Sequence, residues 1–198
     1  VANATGTLTL QSNGSGGAPG NASINVDGAT LVATGGLSVV ADGVADATTG
    51  ISRGGTAALT VNTGSTVTTS ALRVSATGTG DLAASGGGGT GSGGTARITV
   101  GGASSTLSAN AIDIDASGFG GGVKTVSGVT TTANVGGDGQ GGSALLTVQA
   151  GGSLNAQNNV ALNANGVGGY GSVQSGDGTG GTARLTIANG TTSFGSTL

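Results

Sequence analysis

The chain has 198 residues, 46 of them Gly, with one Pro, no Cys, Met, Trp or His, and a formal net charge of −3. Without Cys there are neither disulfides nor thiolate metal ligands, and without His the commonest acid–base and metal-binding side chain is missing, so the readiest catalytic and metal chemistries are closed. Five dispersed basic residues beside eight Asp leave no Lys/Arg cluster for nucleic-acid phosphates and no basic helix for a membrane surface, and no run of roughly 18 apolar residues offers insertion into a bilayer.

Leu, Ile, Val and Phe together number 40, about a fifth of the chain, a level at which composition alone points to low complexity. The low net charge removes the self-repulsion that usually accompanies disorder, so the fold depends on where those residues sit. They sit in a repeat. The opening "VANATGTLTL" reads as the second and third pieces of a unit, with Val1 in the second and Leu8 and Leu10 in the third. Full copies follow: "SINVDGATLVATGGLSVVADG" from Ser23, "ALTVNTGSTVTTSALRVSATG" from Ala58, "RITVGGASSTLSANAIDIDASG" from Arg97 and "LLTVQAGGSLNAQNNVALNANG" from Leu145. A last copy begins "RLTIANGTTSFGSTL" at Arg184, and Leu198 falls where its third piece starts.

Each copy holds three short pieces joined by turn formers. The first piece alternates, with Ile24/Val26, Leu59/Val61, Ile98/Val100, Leu146/Val148 and Leu185/Ile187 facing one way and Asn25, Thr60, Thr99, Thr147 and Thr186 the other. The second contributes one large residue, Leu31, Val67, Leu107, Leu154 or Phe194, and the third alternates again through Leu37/Val39, Leu72/Val74, Ile112/Ile114 and Val160/Leu162. Period-two alternation of β-branched residues and Leu between turn formers predicts strands. These positions take up 27 of the 40 large apolar residues, so a composition that looks too poor to fold has most of its apolar side chains in register.

First pieces near 24, 59, 98, 146 and 185 are 35, 39, 48 and 39 residues apart, whereas first and third pieces stay 13 or 14 apart. All length variation therefore lies in Gly-rich spacers such as "SATGTGDLAASGGGGTGSGG". A constant core with variable insertions on one side predicts an all-β fold: a parallel, right-handed β-helix or solenoid of about five repeats, one domain over residues 1–198. Stacked copies bury apolar columns that a single three-strand unit leaves open, and Ala57, Ala96, Ala144 and Ala183 fit its tight corners. The spacers are read as ordered loops from one corner of a single coil. The alternative is extra small-residue strands that widen or double the coil, with residues 81–84, 130–135 and 171–175 as the fragments suited to them. Neither end shows a polar cap, so the expectation is a piece of a longer array or ends that stack on other copies or capping domains.

No residue is singled out as catalytic, cofactor-binding or metal-binding. "GGDGQGG" (136–142) and "SGDGTGG" (175–181) resemble calcium-binding nonapeptide repeats, but each Asp is solitary and lacks the following apolar residue, so Gly-rich turn chemistry is preferred and calcium is kept as a minor alternative. No Gly-Lys-Ser/Thr follows the Gly runs, which excludes a phosphate loop. Asp113 and Asp115 flank Ile114 and point outward near Arg73, a spacing that raises acid–base work on a glycosidic bond, yet a solvated surface pair is the preferred reading. The Thr60–Thr99–Thr147–Thr186 column raises ice binding, but the positions beside it are irregular, as an ordinary Thr ladder on an exposed strand allows. Asn3, Asn13, Asn21 and Asn189 stand in glycosylation-type tripeptides that are read as turns and caps.

Recurrent "GGTARLTI"-type strands, a Gly/Ser turn, an "xLxAxxVxLxA" piece and Gly-rich spacers resemble the β-strand-repeat arrays of large bacterial surface proteins of the filamentous-haemagglutinin-like adhesin type. That resemblance covers the whole chain. It implies a bacterial, extracellular or cell-surface location and a role in adhesion, biofilm or surface structure, with this segment in a shaft that has no enzymatic activity and no cofactor. Neighbouring repeats or copies stacked head to tail are the expected partners. The alternative is a binding module that recognises polysaccharide or another surface through its Gly-rich loops, with a polysaccharide-active enzyme or an ice-binding protein behind both.

Overall fold

In a computed structural model that describes residues 1–195, every regular element is a strand, and most of the strands pair in parallel in stacked sheets. This architecture is compatible with a β-solenoid. The first pieces, Asn21–Val26, Thr56–Val61, Thr95–Val100, Ser143–Val148 and Thr182–Ile187, form one five-stranded sheet in sequence order. Their register runs Ile24–Leu59–Ile98–Leu146–Leu185, all parallel. Each strand thus lies beside its equivalent one repeat away, and its backbone hydrogen bonds go to those neighbours.

A nine-stranded sheet carries the second and third pieces. In the middle of the chain they merge into the single strands Thr66–Ser75 and Ser105–Asp115, and elsewhere they are divided, as in Thr30–Ala33 and Gly36–Val40. Leu31, Val67, Leu107 and Leu154 stand in one register row, and Leu8, Leu37, Leu72, Ile112 and Val160 in another. Away from the ends the side chains assigned inward by alternation are inward: Leu59, Val61, Ile98, Val100, Val67, Leu72, Val74, Leu107, Ile112, Ile114, Leu146 and Leu154 are all buried in one core, whereas Leu8, Leu10 and Ile187, in the terminal repeats, are exposed. Ala57, Ala96 and Ala144 are buried beside them, whereas Ala183, in the last ladder strand, is exposed.

Two assignments at the ends shift. Ala2, not Val1, pairs with Leu31, and Val1 is exposed. Thr192 pairs with Leu154, and Phe194 lies opposite Ala156, two residues farther along. Both misreadings come from choosing the nearest large residue where the true occupant of the row is small. Leu198 lies outside the described residues.

The Gly-rich spacers are more regular than loops. They leave the coil through the ladder Gly78–Thr79, Gly118–Phe119, Gly166–Val167 and return through Ser52–Arg53, Gly91–Ser92, Gly139–Gln140, Gly178–Thr179. The reading as extra small-residue strands that widen the coil therefore describes them better than protruding loops do. The two ladders press backbone to backbone. A Cβ built on Gly91 would lie 2.0 Å from the carbonyl oxygen of Phe119, and one on Gly118 2.0 Å from that of Gln140. Only Gly permits that approach.

Hydrogen bonds cross between the outgoing and returning segments. Close to the coil, the amides of Gly55, Gly94, Gly142 and Gly181 donate to the carbonyls of Ala41, Ala76, Ala116 and Ala164, each at 2.7 Å. Farther out, the carbonyl of Gly50 accepts from Asp81, Asp81 from Gly89, Gly89 from Gly121, Gly121 from Gly137 and Gly137 from Gly169, each at 2.8 Å. This zigzag runs along the stack and ties successive spacers together, which gives the wing hydrogen bonds in place of side-chain packing.

The fragments singled out for extra strands do other things. Thr130–Thr132 belongs to an antiparallel hairpin, Val123–Val126 with Val129–Thr132, while Leu82 and Gln174 make only isolated bridges, to Gly88 and Val135. The hairpin is the added length of the 48-residue repeat, and Lys124 Nζ pins it to Asp81 Oδ2 of the preceding spacer at 2.7 Å.

Candidate functional site

Polar chemistry concentrates on the outward side of the third pieces. There the register rows are Ser38–Arg73–Asp113–Ala161 and Val40–Ser75–Asp115–Asn163. Asp113 and Asp115 therefore do point the same way, and Arg73 is the direct neighbour of Asp113, as alternation around Ile114 requires. Asp115 Oδ1 accepts from the amide of Ser117 at 2.9 Å, and Asp113 Oδ1 accepts from Asn163 Nδ2 at 3.3 Å. Arg73 Nη2 donates to Ser75 Oγ at 3.4 Å, and Ser75 Oγ donates in turn to Asp42 Oδ1 at 2.6 Å.

Asp42 was not legible as part of this group, because it follows the third piece of its own repeat; the amide of Thr77 at 2.8 Å fixes its carboxylate. Burial, and secondarily the charge of Asp115, push the Asp113 carboxyl above its ordinary value, while Arg73 and Asn163 oppose the rise. Arg73, Asp113 and the small residues beside them border a groove of about 400 Å³ that crosses successive strands.

The Thr60–Thr99–Thr147–Thr186 column forms as expected, in register and half-buried. Its flanking row runs Ser23, Ala58, Arg97, Leu145, Arg184, so two guanidinium groups and a Leu interrupt any flat array of hydroxyls.

In the Gly-rich runs the aspartates stand one above the other. Gly139 pairs with Gly178, and Asp138 Oδ1, which precedes that pair, accepts from the amide of Asp177 at 2.9 Å. One carboxylate oxygen is thus occupied by backbone, and among the described residues no group of three or more Asp side chains converges on a point. Asp46 is used similarly, capping a turn through the amides of Thr49 and Thr48 and the Thr49 hydroxyl, and these bonds, led by the Thr49 amide, hold its carboxyl below its ordinary value.

The wing also carries exposed apolar side chains that the repeat pattern left unassigned: Phe119 and Val167, neighbours in register, with Tyr170 and Val173 farther out. No family model, curated protein or solved structure matches the chain.

Proposed function

We propose that this chain is a shaft segment of a bacterial extracellular surface protein: a right-handed parallel β-solenoid of about five repeats whose task is mechanical. The observation that carries this reading is the unbroken register of the first-piece ladder, Ile24–Leu59–Ile98–Leu146–Leu185, continued in the wing by the hydrogen-bond zigzag from Gly50 to Gly169. Two independent sets of bonds run along one direction, one packed by apolar columns and one by bare backbone. Such a body resists bending without needing a catalytic centre, and its repeats or copies extend it head to tail.

Electron micrographs of the native surface material, labelled with antibody against this chain, test the proposal. The expected result is label along thin rods outside the cell. Label on compact particles, or within the cell only, would overturn it.

A second reading, a module that binds a polysaccharide or another surface through its Gly-rich side, draws support from the exposed Phe119 and Tyr170, two of only three aromatic residues in the chain. Loss of surface binding on Tyr170→Ala or Phe119→Ala, with filament appearance unchanged, would favour it.

A further inference from the structure

We propose that the groove beside the third pieces binds an extended, neutral glycan, with Arg73 and Asp113 taking its hydroxyl groups. This site lies on the coil, apart from the Gly-rich side, and does not depend on the shaft reading.

The groove follows the stack. Its floor is Gly36, Ala71 and Ala111, equivalent positions just before the third pieces, and its sides reach from Thr7 to Ala161. Equivalent residues recur about every 4.8 Å along it, a step similar to the advance per sugar of an extended β-linked chain. A volume of about 400 Å³ is in the range of small-ligand sites, and a floor without side chains beyond Cβ accepts the flat C–H face of a pyranose ring.

Arg73 and Asp113 are adjacent in register yet make no ion pair with each other; among the described residues the salt bridge formed is Lys124–Asp81. Among the described residues the guanidinium has only the 3.4 Å contact to Ser75, and Asp113 only the 3.3 Å contact from Asn163. A donor fork and an acceptor thus stand one strand apart at the groove with most of their hydrogen-bonding capacity unspent. Neighbouring hydroxyls on a sugar, each both donor and acceptor, match that pair.

Other occupants fit less well. A polyanion meets Asp113, Asp115 and Asp42 on the same face, in a chain of net charge −3. An extended peptide gains its affinity from pairing with a sheet edge, whereas the three strands in the middle of this groove, Gly36–Val40, Thr66–Ser75 and Ser105–Asp115, already pair on both sides, so over them its amides would find no backbone partners.

The test is calorimetric titration of the whole chain with linear neutral hexasaccharides of β-linked glucose, mannose, xylose and N-acetylglucosamine, and with oligogalacturonate as the acidic probe. At least one neutral hexasaccharide should bind. Arg73→Ala and Asp113→Ala should each weaken it roughly tenfold or more, as loss of a charged hydrogen-bonding partner does. Ala71→Leu, which fills the floor from the solvent side, should abolish binding. Thr99→Ala on the other sheet should leave it intact, and all four variants should keep the parent's circular dichroism spectrum and a cooperative melt well above the titration temperature, which separates lost binding from lost fold. No binding of any neutral probe, preference for oligogalacturonate, or binding that survives the Arg73, Asp113 and Ala71 changes would overturn the proposal.

Discussion

Gly91→Ala tests whether the wing is packed backbone rather than loop. In the returning ladder, a Cβ on Gly91 would lie 2.0 Å from the carbonyl oxygen of Phe119 and 2.6 Å from that of Gly78, whereas real Cβ contacts essentially never fall under 3.0 Å. The two ladders must therefore separate by about an ångström, and both obstacles are backbone atoms that no rotamer change can move. Overpacking of a close-packed interior costs about 1–3 kcal/mol, and with carbonyl oxygens as the obstacles the upper end, about 3 kcal/mol, is expected. For a domain of this size that corresponds to a fall of roughly 6–12 °C in Tm. Gly87, in the same spacer, has open space within 4 Å of where a Cβ would stand and no positive φ, so Gly87→Ala should be neutral or stabilise by up to about 1 kcal/mol through the unfolded state. Thermal and urea unfolding followed by circular dichroism compare the two. Equal stability of Gly91→Ala and Gly87→Ala would refute the packed wing.

Other perturbations follow from the same contacts. Ile98→Ala, in the middle of the core and fully buried, should cost about 2–5 kcal/mol in urea unfolding, while Ile24→Ala, half-buried in the first strand of that sheet, should cost less than half as much. Ser52 occupies a row otherwise filled by Gly91, Gly139 and Gly178, and its Oγ is buried with no hydrogen-bond partner among the described residues; Ser52→Ala should raise stability by about 1 kcal/mol or more, since it removes an unsatisfied hydroxyl without changing the backbone. Asp113 has its carboxyl raised above 3.8 in the fold, chiefly by burial, so the folded state holds the proton more tightly and stability falls as pH rises through that window. Asp113→Asn should therefore match the parent near pH 3 and exceed it in Tm at pH 7; an advantage confined to low pH would contradict this.

The coil was legible because its side chains report their direction. Alternation through Leu59–Thr60–Val61 and its equivalents fixed which face is buried, and the constant 13 or 14 residues between first and third pieces fixed the register. The wing was not, because Gly has no side chain to alternate. A signal was nevertheless present: Gly recurs two residues apart at 78/80, 89/91, 118/120, 137/139, 166/168 and 176/178, the strand period written in the one residue that hydropathy cannot rank. Position 52, where Ser interrupts that series, is where a buried hydroxyl has no partner among the described residues. The pair Asp113/Arg73 followed from alternation, but Asp42 entered through the hydrogen bonds from Ser75 and the Thr77 amide, contacts between neighbouring repeats that no spacing within one repeat discloses. At the ends the row is held by Ala2 and Thr192, small residues that a search for large apolar side chains passes over.

The central claim, that equivalent strands lie side by side in register one repeat apart, is tested most directly by disulfide trapping, since the chain has no Cys of its own. Thr60 and Thr99 face outward as register partners, and Thr60 and Thr147 are two strands apart. With strands about 4.8 Å apart, the first pair falls within the span a disulfide requires and the second, at about twice that distance, falls outside it. The account predicts rapid intramolecular oxidation of Thr60→Cys/Thr99→Cys, seen as loss of free thiol and a mobility shift, and none for Thr60→Cys/Thr147→Cys; a bond in the second pair and none in the first would contradict it.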